Sequence, residues 1–151
     1  MNSEIVTESG LKYIKIQEGN GRKPLVGETI CAHYEIFFGP GTATSNYDQE
    51  NDKYIDEIYD STYDKNNPFS GPVEFIIGKY TPKDHMYDKK DSIVGLDEAF
   101  LDMCPGEKRK LTIPASLAYG LEGASSFHTF HGFRTAPNAT IICNVELVEI
   151  K

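Results

Sequence analysis

Alternation of apolar and polar positions is the strongest signal along the chain. In residues 29–38, Ile30, Ala32, Tyr34, Ile36 and Phe38 share one face and His33 and Glu35 the other, which predicts a half-buried strand with Tyr34 turned inward. Arg109, Leu111 and Ile113 alternate with Lys108, Lys110 and Thr112, after a Pro105-Gly106 turn and before Pro114, which cannot donate to a ladder. Ile141, Cys143, Val145 and Leu147 alternate with Ile142, Asn144, Glu146 and Val148 in a long final strand. Residues 11–17 and the run Val73, Phe75, Ile77 predict two more strands, the first ended by Glu18-Gly19-Asn20-Gly21. Leu96, Ala99, Phe100 and Met103 instead fall at i, i+3, i+4 and i+7, one apolar face of a short helix with Asp97 and Glu98 in its first turn. Cys104-Pro105-Gly106 is expected to end it. Several strands and one short helix predict an α+β fold, a curved antiparallel β-sheet wrapped over the helix.

The pattern lapses at about residues 39–57, 79–91 and 121–136, which read as long inserted loops without periodicity. A chain of 151 residues suits a single domain with such elaborations. A formal charge of −8 and a pI near 4.9 disfavour nucleic acid and anionic membrane surfaces as partners. No apolar run is long enough to span a bilayer, and Met1-Asn2-Ser3-Glu4 lacks the basic start of a signal peptide, so the expected compartment is cytoplasmic. Of the three cysteines, Cys31 and Cys143 lie inside strand-like runs, where cysteine acts as a small apolar residue; neither a disulfide nor a zinc framework is expected. His128-Thr129-Phe130-His131 has a spacing that suits a metal, but no nearby cysteine or paired carboxylate completes a site, and no metal or cofactor is expected.

Tyr119, beside Gly120 and just after the 108–113 strand, combines an apolar ring with one donor; it suits a residue displayed in a cleft as well as an ordinary loop tyrosine. Its neighbours widen the choice. Ile93-Val94-Gly95-Leu96 precedes the Pro105 to Pro114 run, and Pro137-Asn138-Ala139-Thr140 and Val145-Glu146-Leu147 follow it. Val26-Gly27-Glu28-Thr29, His33-Tyr34 and Tyr59-Asp60-Ser61-Thr62 come earlier. In this order the segments resemble the FKBP family of peptidyl-prolyl cis-trans isomerases, the macrolide-binding immunophilins, from about residue 11 to residue 151.

The resemblance implies an FKBP-like fold and a proline pocket bounded by Tyr34, Tyr59, Asp60, Ile93, Leu96 and Tyr119, with Tyr34, Asp60 and Tyr119 as the catalytic set. It assigns the backbone N–H of Ile93 and the hydroxyl of Tyr119 to ligand carbonyls. Strand register favours Val73 over Phe69 at a further wall position, and leaves Phe69 on a loop near the cleft. The 121–136 loop corresponds to the family's flap and is expected to add Phe127, Phe130 and Phe133 as aromatic surface. Two positions depart from the pattern: Leu96 stands where many members have a tryptophan floor, and Cys143 where they commonly have a phenylalanine wall. The implied activity is isomerisation of X-Pro bonds in proline-containing peptides or protein clients, by a monomer without cofactor. Macrolides such as tacrolimus and rapamycin are expected to bind with reduced affinity.

Other readings stay open at this point. Tyr34, Ile93 and Leu96 suit the core equally well. Asp60-Ser61-Thr62 suits a turn organised by side-chain bonds to backbone N–H groups. The reduced pocket also suits a non-catalytic peptide-binding or chaperone module. Hydrolase and nucleotide-binding readings find neither a Gly-rich phosphate loop nor a nucleophile elbow.

Overall fold

The computed structural model describes residues 3–38, 47–48, 53–54, 58–62, 71–78, 93–120, 138 and 140–151, with side chains for all of these except 37–38, 47–48, 53–54 and 58–61. The strands are β1 (Ile5–Val6), β2 (Lys12–Gln17), β3 (Thr29–Phe38), β4 (Tyr47–Asp48), β5 (Lys53–Tyr54), β6 (Ile58–Ser61) and β7 (Val73–Ile76). Helix α1 (Val94–Leu101) comes next, then β8 (Lys108–Ile113), a single 3₁₀ turn (Ala115–Leu117) and β9 (Ile141–Ile150). Among the described residues seven strands form one antiparallel sheet in the order β1-β2-β8-β9-β3-β6, with β7 also on β3. This is the α+β arrangement that the alternation predicts.

Strand β3 is the hub. One edge pairs with β9 along its length, from Ile30↔Ile150 to Phe38↔Ile141. Its other edge is shared: Thr29 to Ala32 pair with β7, and Glu35 to Phe37 pair with β6. A register shift between Cys31 and Ala32 breaks the period of two, so Ile30, Cys31 and Ala32 are buried in succession. The inward residues of β3, β8 and β9 meet Leu96, Ala99 and Phe100 of the helix in one core cluster. Phe100 also meets Phe75 of β7 edge to face, with centroids 5.4 Å apart, a contact worth about 0.5–1.5 kcal/mol beyond its burial.

Three ties seat the helix on the sheet. At Gly95 the backbone approaches β8 so closely that a Cβ would lie 2.5 Å from Ile113 Cγ2 and 3.2 Å from the Leu117 carbonyl oxygen. Glu98 accepts hydrogen bonds from Thr7 Oγ1, at 2.8 Å, and from Ser9 Oγ, which fastens the β1–β2 turn to the helix. At the far end Arg109 donates to the Asp102 carbonyl oxygen at 3.0 Å and to its Oδ2 at 2.9 Å, and Lys23 Nζ reaches Oδ1 at 2.8 Å. Burial opposes ionisation of Asp102, but Lys23 and Arg109 outweigh it and hold the carboxyl below its ordinary range. These bonds explain why the helix ends at Leu101, before Cys104-Pro105-Gly106: Asp102 and Met103 close it with tight bonds to Ala99 and Phe100.

Arg109 falls on the inner face of β8, as the alternation requires, but its charge is then almost wholly buried, at 2% exposure. The buried Glu107 carboxylate accepts from Arg109 Nε, and Tyr13 of β2 lies beneath the guanidinium at 4.0 Å from the ring centroid. Glu107 also accepts from the Cys104 N–H at 3.2 Å, so the pair knits the helix exit to the sheet.

Two short features depart from expectation. The 39–57 loop contains the β4–β5 hairpin, with Tyr47↔Tyr54 and Asp48↔Lys53 in register, and the chain opens with β1 against β2. Strands of two residues carry no measurable alternation.

Two stability measurements check this account. Glu107→Ala removes the buried carboxylate from Arg109, leaves the half-exposed Asp102 as its ionic partner, and should lower the urea-unfolding free energy by about 3 kcal/mol. Gly95→Ala gains helix propensity of about 1 kcal/mol but meets Ile113 and a backbone carbonyl. It should destabilise by at least about 1 kcal/mol net in the same titration.

Candidate functional site

Four separate segments bring sequence-predicted residues into a single buried cluster. Tyr34 comes from the middle of β3, Ile93 and Leu96 from the start of the helix, Cys143 from β9, and Tyr119 from the turn after the 3₁₀ segment. Val73, at the start of β7, packs against the same cluster. Tyr59 and Asp60 lie on β6 beside β3, where Asp60 pairs with Ile36; only their backbone is described. Phe69, Phe127, Phe130 and Phe133 lie outside the described residues, as do the whole of the 79–91 and 121–136 stretches.

Local chemistry explains each position. Ile93 is the N-cap of the helix, with an extended backbone at φ −122° and ψ 158°. Its carbonyl accepts the first helical bond, from the Asp97 N–H at 3.0 Å, while its own N–H stands outside the intrahelical ladder. Leu96, one turn on, is 1% exposed. Pro114 ends β8, and the next residues coil tightly: Leu117 N–H bonds the Pro114 carbonyl at 2.9 Å, and Gly120 N–H bonds that of Ala115 at 2.8 Å. Gly120 takes φ 72°, a left-handed turn that suits glycine. This turn carries Tyr119 inward to 2% exposure, so it is a core-facing aromatic and not a displayed loop residue.

The arrangement is apolar, with two tyrosines as its polar handles. Cys143 is fully buried and burial pushes its thiol well up; burial likewise raises Cys31. Cys143 thus packs as a small apolar residue of the core. Among the described residues no group of three or more His, Cys, Asp or Glu is placed to hold a metal ion. A shallow groove on the outer face of the sheet, lined in part by Ile16, Glu35, Lys108 and Asn144, holds none of the predicted residues.

One functional feature of this region is only faintly marked in the sequence. Thr62, two residues beyond Asp60, is buried and places its hydroxyl 3.0 Å from the Tyr34 N–H and 2.8 Å from His33 Nδ1. The Asp60-Ser61-Thr62 pattern signals side-chain bonding to backbone N–H groups. The partner proves to be a distant strand and not a local turn.

The sequence-predicted residues thus form a buried aromatic and aliphatic cluster at the start of one helix, on the inner face of a curved antiparallel sheet. Residues 21–148 match the family model described as FKBP-type peptidyl-prolyl cis-trans isomerase, and the chain belongs to that family. It is 32% identical over 140 residues to FK506-binding protein 2 of Yarrowia lipolytica, covering 93% of this chain and 72% of that one. It is 30% identical over 141 residues to an FK506-binding protein of Neisseria meningitidis serogroup B, covering 93% and 96%. The crystal structure of AtFKBP13 superposes with a TM-score of 0.63 at 25% identity, covering 99% of each chain.

The thiols report on how tightly this cluster is closed. In the native protein at pH 8, Ellman's reagent should label one cysteine quickly, the half-buried Cys104, and reach Cys31 and Cys143 only on denaturation. Fast labelling of Cys143 would contradict its place in a closed apolar wall.

Proposed function

We propose that this chain catalyses cis-trans isomerisation of X-Pro bonds in folding or regulatory clients, at the pocket formed by Tyr34, Ile93, Leu96, Cys143 and Tyr119 with β6 at its edge. The observation that carries this reading is the convergence of those five residues, from four segments, on one apolar cluster in a chain of this family. The reaction must lower a rotation barrier of about 18–20 kcal/mol that arises from amide resonance, and it breaks no bond. An X-Pro amide moved from water into an apolar cleft loses hydration that favours its planar, polar form, and donors placed for the twisted state stabilise that state selectively. The family resemblance assigns this part to the Ile93 N–H and the Tyr119 hydroxyl. Val73 extends the apolar wall, and Tyr59 and Asp60 enter from β6. No step needs a nucleophile or a cofactor.

The same residues set the pocket's limits. Leucine at 96 and cysteine at 143 offer less aromatic contact than tryptophan and phenylalanine, so macrolides should bind weakly, with Kd in the range of about 1 μM or above for tacrolimus. A nanomolar Kd by calorimetry would show that other surfaces replace the missing rings. The reduced floor and wall also favour a second reading, a non-catalytic peptide-binding or chaperone module. The two diverge in the doubly substituted protein Asp60→Ala/Tyr119→Phe: unfolded-client binding persists with or without catalysis under the second reading, and falls along with catalysis under the first.

In a protease-coupled assay on Xaa-Pro peptides the wild-type protein should accelerate isomerisation above the buffer rate. Tyr119→Phe removes one hydrogen bond and should lower kcat/KM roughly 2- to 10-fold. A wild-type rate equal to buffer at high protein concentration would overturn the isomerase reading.

A further inference from the structure

Strand β3 changes partner in mid-course. β7 pairs with it as far as Ala32 and β6 takes over at Glu35, which leaves His33 and Tyr34 at a seam between two neighbours. Continuing the β6 register by one residue from Glu35↔Ser61 sets Thr62 opposite Tyr34. In an ordinary antiparallel rung each of these residues would exchange N–H and C=O with the other. Half of that rung is present, because the Thr62 N–H donates to the Tyr34 carbonyl oxygen at 3.0 Å. The other half is replaced. The Tyr34 N–H donates to the Thr62 hydroxyl at 3.0 Å, while the Thr62 carbonyl turns away to accept from the Gly71 N–H at 2.7 Å.

The hydroxyl therefore stands in for its own carbonyl. A hydroxyl has two lone pairs and one proton. One lone pair serves the Tyr34 N–H; the hydroxyl also bonds His33 Nδ1 at 2.8 Å, as donor or acceptor according to the imidazole tautomer, and lies 3.3 Å from the Tyr34 carbonyl oxygen. The substitution frees the Thr62 carbonyl to hold the chain entering β7, whose first residue, Val73, packs on the pocket cluster. One buried side chain thus fixes the backbone of Tyr34, the end of the strand bearing Tyr59 and Asp60, and the approach to Val73.

We propose that Thr62 is a positioning residue of the isomerase site, acting through its hydroxyl to hold Tyr34 and the β6 strand in register across the seam. The inference rests on the isomerase reading. It needs the hydroxyl specifically, because valine has the same shape and the same preference for strands but cannot accept the Tyr34 N–H or bond His33. A misplacement of the order of 1 Å in a positioned group costs up to about 100-fold in rate, so partial loosening of the seam should cost about tenfold.

The test compares wild type, Thr62→Ser and Thr62→Val in the protease-coupled assay, at a temperature where urea titration shows each more than nine-tenths folded (roughly 1.4 kcal/mol or more of stability). Amide hydrogen exchange at Tyr34 is read in parallel. The proposal expects Thr62→Val to lose about tenfold in kcat/KM and its Tyr34 amide to exchange at least about tenfold faster, with Thr62→Ser within about threefold of wild type in both. If Thr62→Val does not fold, Thr62→Cys supplies a weak sulfur acceptor at the same place and should fall between serine and the loss expected for valine. An active wild type with undiminished Thr62→Val activity, or an equal loss in Thr62→Ser, would overturn this inference alone. An inactive wild type would overturn the isomerase reading and this inference with it.

Discussion

The pairing of β3 on both edges is the constraint on which the rest depends. A strand buried between neighbours must have every backbone N–H and C=O matched, because an unpaired polar group away from water costs about as much as a lost hydrogen bond. β9 satisfies one edge, and β7, Thr62 and β6 satisfy the other in succession. The side-chain direction of β3 is thereby settled residue by residue, and Tyr34 must point into the concave face. The helix is then seated against that face by Gly95, whose missing Cβ lets Ile93 and Leu96 come within reach of Tyr34, Cys143 and Tyr119.

Charge is spent on the frame more than on the pocket. The Glu107–Arg109 pair, capped by the Tyr13 ring and extended to Asp102 and Lys23, lies at the helix exit. The helix entrance instead lies in the apolar cluster of Ile93, Leu96 and Tyr119, with one buried carboxyl, that of Asp97, in its first turn. This division suits a reaction whose transition state differs from its ground state in amide polarity and not in formal charge. It also explains how Leu96 and Cys143 can replace larger aromatics without loss of the fold. Both are closed into the core, at 1% and 0% exposure, so the cluster remains packed.

How much of this was legible depended on how far each feature obeys a simple period. β3, β8 and β9 are long and buried on one face, so alternation placed Tyr34, Leu111 and Cys143 correctly. β1, β4 and β5 are two residues each and carry no period. Arg109 lies on the face that alternation assigned to the core, but periodicity says nothing of the partners that make its burial tolerable; Glu107 and Tyr13 come from two residues away and from a different strand. Tyr119 was legible as a residue of interest through family order, whereas its burial follows from the tight turn between Pro114 and Gly120. Thr62 was visible only as a local capping pattern, because the seam it closes joins it to Tyr34, 28 residues away in sequence.

Catalysis is proposed to occur on the concave side of the sheet, at the start of the helix. NMR exchange spectroscopy of an Xaa-Pro peptide, with substoichiometric isotope-labelled protein, reads the rate and the place together. The expected result is accelerated cis-trans exchange, with shifts concentrated at the amides of Tyr34, Ile93 and Tyr119. Exchange at the buffer rate, or shifts concentrated on the outer face at Glu35, Lys108 and Asn144, would contradict it.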